Sequence, residues 1–177
     1  DFDQNCEYAY QHNNQAQFLH EKVEDVHRDT ILRYYPENDI KVLVGCAPCQ
    51  PFSSHANKYR KGPNALHDER WFLLNHFARL VEEVHPDVIS MENVPQLSKQ
   101  QIFDDFVSKL RALSYNVSWS VVFCPDYGIP QRRNRLVLLA SRYGDISLMA
   151  PTHTPENYRT VRNAIGNILP IVAGENN

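Results

Sequence analysis

The sequence predicts an α/β fold in which a mostly parallel sheet carries helices on both faces. Three short apolar runs predict buried strands, at 41–46, 87–93 and 135–141. Apolar residues at three- and four-residue spacing predict helices over 68–84 and 101–113. Strands and helices in alternation are typical of parallel strands joined by helical crossovers.

The remaining elements follow from local signals. The first helix is expected to end at His85 and Pro86, because the residue before a proline avoids the helical conformation. The stretch 116–123 is alternating and β-branched, which predicts a strand that pairs with 135–141. After Ser141 the pattern is less regular and ends in a short helical stretch.

Length and composition indicate an ordinary globular domain. The chain has 177 residues, of which 42% are apolar and 22% charged. No apolar run approaches the roughly 18 residues of a membrane span. The net charge of −3 argues against a surface that binds nucleic acid all over, but a local basic patch could still contact phosphates. Four cysteines do not suggest a disulfide scaffold, and this predicts a reducing cytoplasm.

Cys46 and Cys49 form a C-x-x-C pair at the end of the first predicted strand. A zinc site needs four ligands and the other two cysteines are isolated, so we expect no metal. A redox pair would begin a helix, whereas a polar loop follows here. Cys46 is expected to be a small core residue at the strand end. Pro48 and Pro51 flank Cys49 and would hold it out of the sheet, which favours a nucleophilic thiolate.

Two other stretches could supply partners for this thiolate. Glu92 lies at the end of the second predicted strand, and the arginines of "GIPQRRNRL" at 128–136 come just before the third. The carboxyl ends of parallel strands meet at one edge of a sheet, so Glu92 should lie near Cys49. Each feature also has a simpler interpretation, since Glu92 could be a helix cap or surface charge and the arginines a solvated charge run.

Three motifs in this order resemble those of the cytosine-5 DNA methyltransferases. Pro48-Cys49-Gln50 resembles the nucleophile motif, Glu92-Asn93-Val94 the acidic motif and Gln131-x-Arg133-x-Arg135 the arginine motif. "THTPENYRTVRNAIGNILP" matches the family's approach to its target-recognition domain, so the resemblance covers essentially the whole chain. It implies a catalytic set of Pro48, Cys49, Gln50, Glu92, Asn93, Arg133 and Arg135.

The resemblance implies a Rossmann-like, S-adenosylmethionine-dependent methyltransferase fold and a defined reaction. Cys49 would attack carbon 6 of a cytosine flipped out of double-stranded DNA, and carbon 5 would accept the methyl group. Glu92 would share a proton with N3 and Arg133 would hold O2, while Arg135 would brace Glu92 or the Cys49 loop. The polar loop 53–67 is expected to close on DNA, although a merely solvated loop fits its composition equally well.

The resemblance also assigns cofactor contacts. Asp1 falls where the family has an acid that binds the ribose hydroxyls, and Phe2 where a bulky residue lies against the adenine. Asp25 and Val26 match an acid at the adenine amino group and its apolar neighbour, and Leu73 matches another adenine contact. The alternatives are a capping aspartate or core apolar residues.

The chain departs from the family at both ends. It contains no glycine-rich F-x-G-x-G turn, and the target-recognition domain and final motifs have no counterpart. We therefore expect residues 1–150 to form a catalytic domain that lacks its first strand and glycine-rich turn, and 151–177 to lead into a missing recognition domain. The chain would be a fragment, a truncated gene product or one part of a split enzyme completed by a second polypeptide, and alone it is not expected to turn over.

Three functions remain open from the sequence. The first is a bacterial DNA cytosine methyltransferase of the restriction–modification or orphan type, cytoplasmic and located at the nucleoid when bound to DNA. The second is an RNA cytosine-5 methyltransferase on the same scaffold. The third is a non-catalytic remnant or regulatory subunit that pairs with another chain.

Overall fold

A computed structural model describes residues 1–47 and 72–168. Within these ranges the strands form one four-stranded sheet in the order β1-β2-β4-β3. The strands are β1 Val42–Gly45, β2 Val88–Asn93, β3 Asn116–Phe123 and β4 Asn134–Ser141. All four lie where the sequence predicts strands.

The sheet is mixed rather than mostly parallel within the described residues. β1 and β2 pair in parallel, whereas β4 runs antiparallel to both β2 and β3. The pairing of β3 with β4 confirms the prediction for 116–123. These two strands follow one another without a crossover helix between them, and such a connection gives an antiparallel pair. The α/β class is therefore as predicted, with a correction to the strand directions.

The described helices are α1 Glu7–Asn14, α2 Arg28–Leu32, α3 Phe72–Val84, α4 Gln101–Ala112 and α5 Val161–Ile165. Short 3-10 turns occupy Gln4–Cys6, Pro95–Lys99 and Cys124–Tyr127. The helices α3 and α4 confirm the two helical predictions over their described parts. Helix α3 ends at Val84, and His85 takes a left-handed φ of 49° before Pro86. None of these helices is long and apolar enough to cross a bilayer.

The core lies between α3, α4 and one face of the sheet. Phe77 of α3 packs against Phe106 of α4, with ring centroids 5.9 Å apart. Phe103 meets Trp119 of β3 edge-on at 5.2 Å. The side chains with no exposed surface are Val81, Ile89, Met91, Phe103, Leu110, Leu136, Leu138 and Ala140. Both long helices thus cover the same face, rather than one helix on each.

The other face is only partly covered. Ser118 of β3 donates to the carbonyl of Ile146 at 2.6 Å, so an extended segment rather than a helix lies over this face near β3. On β1, Val42 and Val44 remain 46% and 70% exposed. The prediction of a fully buried strand at 41–46 is therefore wrong for this face, because the described residues leave much of Val42 and Val44 uncovered.

Candidate active site

Cys46 and Glu92 meet at the carboxyl edge of the parallel pair β1 and β2. The register places Gly45 beside Met91, so the next residue of each strand points to the same outer face. The Cys46 thiol donates to the Glu92 carboxylate, with Sγ 3.0 Å from Oε2. The carboxyl edge of such strands is where ligand sites form in α/β proteins.

Arg135 holds the other oxygen of Glu92. Its Nε forms an ion pair with Oε1, and its Nη1 donates to the Asn134 carbonyl at 2.8 Å. The Arg135 side chain is 14% exposed and that of Glu92 43% exposed. Glu92 is therefore fixed from the protein side by a half-buried guanidinium, while part of its carboxylate stays open to a ligand.

Asn93 ties the end of β2 to the residue before the predicted nucleophile motif. Its side chain is buried, and Nδ2 donates to the Ala47 carbonyl at 3.0 Å. Its Oδ1 accepts from the Val94 amide at 2.8 Å. The motif residues Pro48, Cys49 and Gln50, and the loop 53–67, lie outside the described residues.

Arg133 is exposed and is not brought to Glu92. Its carbonyl accepts from the Cys124 amide at 2.8 Å, which joins the two ends of the β3–β4 connection. Within the described residues its side chain makes no hydrogen bond or ion pair. The guanidinium is therefore available to a ligand.

A cavity of about 470 Å³ adjoins this edge. Its volume falls in the range of roughly 300–1,000 Å³ that small-molecule sites occupy. The lining residues come from four separate parts of the chain and are Asp1, Phe2, Glu21, Lys22, Val23, Glu24, Cys46 and Leu73. The structure thus brings together three of the five predicted cofactor residues, namely Asp1, Phe2 and Leu73.

Asp25 and Val26 lie just beyond the lining. Their amides both donate to the Lys22 carbonyl, at 3.0 and 3.2 Å, and form a tight turn. The Asp25 side chain is exposed, whereas Val26 is buried. Neither lines the cavity as described, so their predicted adenine contacts stay predictions.

Arg79 of α3 stabilises this turn through hydrogen bonds to its backbone. Its guanidinium donates to the carbonyls of Val23 and Val26, at 3.0 and 2.9 Å. It also donates to Glu83 at 2.7 Å, and this hydrogen bond is the main reason that the pKa of Glu83 lies below its usual range. Among the described residues, no group of three or more His, Cys, Asp or Glu side chains is arranged to hold a metal ion.

A family model described as C-5 cytosine-specific DNA methylase matches residues 1–176. The chain belongs to this family. Membership confirms the resemblance seen in the three motifs and implies a methyl donor as cofactor.

Named relatives of this chain include two Type II enzymes of bacteria. The Type II methylase M.HgiDII of Herpetosiphon aurantiacus is 48% identical over 177 residues, which are 98% of this chain and 48% of the relative. The Type II methyltransferase M1.HphI of Haemophilus parahaemolyticus is 32% identical over 164 residues, 90% of this chain and 43% of the relative. The chain thus spans about half the length of the curated relatives it matches.

Solved structures confirm the methyltransferase fold. A candidate DNA modification methyltransferase encoded within an E. coli prophage has a TM-score of 0.74 and 23% identity, over 97% of this chain and 48% of that one. The Entamoeba histolytica methyltransferase EhMeth has a TM-score of 0.66 and 20% identity, over 87% and 48%. The sheet and helices of this methylase chain therefore follow the expected Rossmann-like methyltransferase fold.

Cys46 is the site residue that the sequence assigned wrongly. It was expected to be a small core residue, but it is exposed, lines the cavity and bonds to Glu92. No local signal indicates this position, because Cys46 shares a face with Val42 and Val44, and its place beside Glu92 follows from the parallel pairing of β1 and β2.

Proposed function

We propose that the intact protein is a DNA cytosine-5 methyltransferase that uses S-adenosylmethionine. One observation carries the proposal: Cys46 both lines the cavity and bonds to Glu92. The cavity that would hold the methyl donor and the carboxylate that would hold the target base are therefore adjacent. A direct methyl transfer requires that the donor and the base be held next to each other.

The cavity suits a nucleoside cofactor. Phe2 and Leu73 offer apolar surface for an adenine ring, and Asp1, Glu21 and Glu24 offer carboxylates that can accept hydrogen bonds from ribose hydroxyls. Its volume of about 470 Å³ is ample for a small ligand. When bound, S-adenosylmethionine supplies an electrophilic methyl group.

The chain's own residues would activate the base. Cys49, outside the described residues, would add as a thiolate to carbon 6 of cytosine and so make carbon 5 nucleophilic. This addition moves negative charge toward N3 and O2. Glu92, held by Arg135, would share a proton with N3, and the exposed Arg133 would stabilise O2.

The remaining motif residues would position this machinery. Asn93 holds the backbone of Ala47 beside β2, and Pro48 and Gln50 would continue that support to Cys49. Because a stacked base cannot present carbon 6 to a thiol, the substrate cytosine would be flipped out of duplex DNA. We infer that residues 1–150 serve cofactor and catalysis and that 151–177 lead toward DNA recognition.

The test is transfer of label from S-adenosylmethionine to mixed-sequence duplex DNA by the intact protein. Wild type and the control Cys6→Ala should label DNA equally, since Cys6 is exposed and does not line the cavity. Cys49→Ala should abolish transfer, and Glu92→Gln should lower it by about a hundredfold or more. Undiminished transfer by Cys49→Ala would overturn the covalent mechanism.

A parallel arm offers RNA in place of DNA. The proposal expects label in DNA alone. Label in RNA alone would overturn the DNA substrate while leaving the cytosine chemistry in place. A wild-type protein that labels neither, even with added cell extract as a source of a second polypeptide, would overturn the proposal and favour a non-catalytic subunit.

A further inference from the structure

We infer that Arg79 is a positioning residue that sets one wall of the cofactor cavity. Arg79 does not line the cavity, and none of the three motifs includes it. Its contacts nevertheless converge on the segment that does line it. The inference rests on the proposed function for the identity of the ligand, and on the described contacts for everything else.

The contacts form a clamp on the backbone of 23–26. Nη2 of Arg79 lies 3.0 Å from the Val23 carbonyl, 3.3 Å from that of Glu24 and 2.9 Å from that of Val26. Val23 and Glu24 both line the cavity. One guanidinium nitrogen therefore holds three carbonyls of a segment whose residues Val23 and Glu24 form part of the cavity wall.

The guanidinium is itself held in place. Nη1 donates to Glu83 Oε1 at 2.7 Å and lies 3.4 Å from His27 Nδ1. The other Glu83 oxygen accepts from the Arg28 amide at 3.1 Å, at the start of α2. The Arg79 and Glu83 side chains are 27% and 30% exposed, so water competes only partly for these bonds. Only the planar fork of an arginine can serve all these acceptors at once.

Helix α3 thereby contributes to two sides of the cavity. It presents Leu73 directly to the cavity and, through Arg79, holds Val23 and Glu24. The distance between these walls depends on a rigid helix and a few hydrogen bonds rather than on a flexible loop. A nucleoside that fits between them would lose affinity when the clamp is released, because the ligand would then have to order the segment itself.

The test compares Arg79→Ala and Arg79→Lys with wild type and with Arg111→Ala, an exposed arginine on α4. Calorimetry with S-adenosylmethionine should give a dissociation constant raised about tenfold in Arg79→Ala, less in Arg79→Lys, and unchanged in Arg111→Ala. In steady-state kinetics, the KM for S-adenosylmethionine should rise while the KM for DNA and the kcat at saturating cofactor stay within about twofold.

A second measurement needs no cofactor. Hydrogen exchange of the Asp25 and Val26 amides, which bond to the Lys22 carbonyl, should accelerate in Arg79→Ala and not in Arg111→Ala. If Arg79→Ala does not fold, Arg79→Lys should still show a raised dissociation constant for S-adenosylmethionine and faster exchange at Asp25 and Val26, each to a smaller extent.

The outcomes separate the two proposals. Equal affinity of wild type and the folded Arg79 variants would overturn the clamp alone, as would unchanged exchange at Asp25 and Val26. A wild-type protein that binds no S-adenosylmethionine would overturn the cofactor assignment under the proposed function, and this inference with it. A KM that rises for both S-adenosylmethionine and DNA would also overturn the positioning role of Arg79, since that pattern indicates a general loss of structure.

Discussion

The Cys46 thiol donates a hydrogen bond to the Glu92 carboxylate, with Sγ 3.0 Å from Oε2. This hydrogen bond joins the ends of β1 and β2, which lie far apart in sequence, and links the cavity to the candidate catalytic edge. Because Arg135 pairs with the other oxygen, the carboxylate is oriented from two sides. Under the proposed function, Glu92 would thus already be oriented before a base binds.

Cys46→Ala should slow methyl transfer without abolishing it. The variant loses a thiol donor to a charged acceptor, which is a weak bond that we place at about 1 kcal/mol, or roughly a fivefold decrease in kcat. Steady-state rates at saturating DNA and cofactor measure it. Cys6→Ala, another exposed cysteine, is the matched control and should match wild type. A rate equal to that of wild type, or no activity at all, would contradict a positioning role.

Asn93→Ala should lower both stability and activity. The variant leaves the Ala47 carbonyl and the Val94 amide without their partner at a buried position, which costs about 2 kcal/mol of unfolding free energy. Activity should fall further than stability explains, because Ala47 leads into the predicted nucleophile motif. Denaturant unfolding and methyl transfer are measured together. Asn116→Ala, at an exposed position of β3, should change neither, and an equal effect of the two variants would refute this role.

Gly45→Ala should destabilise the sheet by about 1–3 kcal/mol. A Cβ at this position would lie 2.5 Å from Cε2 of Phe77, so the ring of α3 and the strand β1 cannot both stay in place. Urea unfolding of Gly45→Ala, Phe77→Leu and the double variant measures the coupling. The double variant should lose less than the two single variants together, by about 0.5 kcal/mol or more. Strictly additive losses would show that Phe77 is not the obstacle.

The sequence predicted the elements better than their arrangement. The alternating pattern of 116–123 and the apolar period of α3 and α4 report directly which side of each element is buried. The pairing of β3 with its sequence neighbour β4 was predicted, whereas the antiparallel pairing of β2 with β4 joins strands separated by α4 and β3, and no local pattern encodes it. The polar helix α1 has no buried residue, so it lacks the apolar stripe on which such a prediction depends.

In the candidate site, too, local motifs predicted some residues, while others depend on the three-dimensional arrangement. Glu92, Asn93 and Arg135 were predicted from local motifs, and the structure places all three at one edge. Cys46 was misjudged because 41–46 is apolar on both of its faces, so the sequence could not show that one face lacks a covering layer. The role of Arg79 was missed because its acceptors are backbone carbonyls, which carry no residue-type signal.

Asp87 should make stability depend on pH in the acid range. Its carboxylate accepts from the Lys41 amide and the Tyr143 hydroxyl, each at 2.8 Å, and these bonds hold its pKa below the ordinary value of 3.8. Since the folded pKa lies below the unfolded one, the stabilisation is present above about pH 4 and is lost as pH falls through the folded pKa. Asp87→Asn should therefore be less stable than wild type at pH 7, and this difference should shrink on acidification.

Urea unfolding between about pH 2 and pH 7 measures this difference in stability, with the exposed Asp145→Asn as control. A difference that stays constant over this range would show that the ionised carboxylate of Asp87 does not stabilise the start of β1.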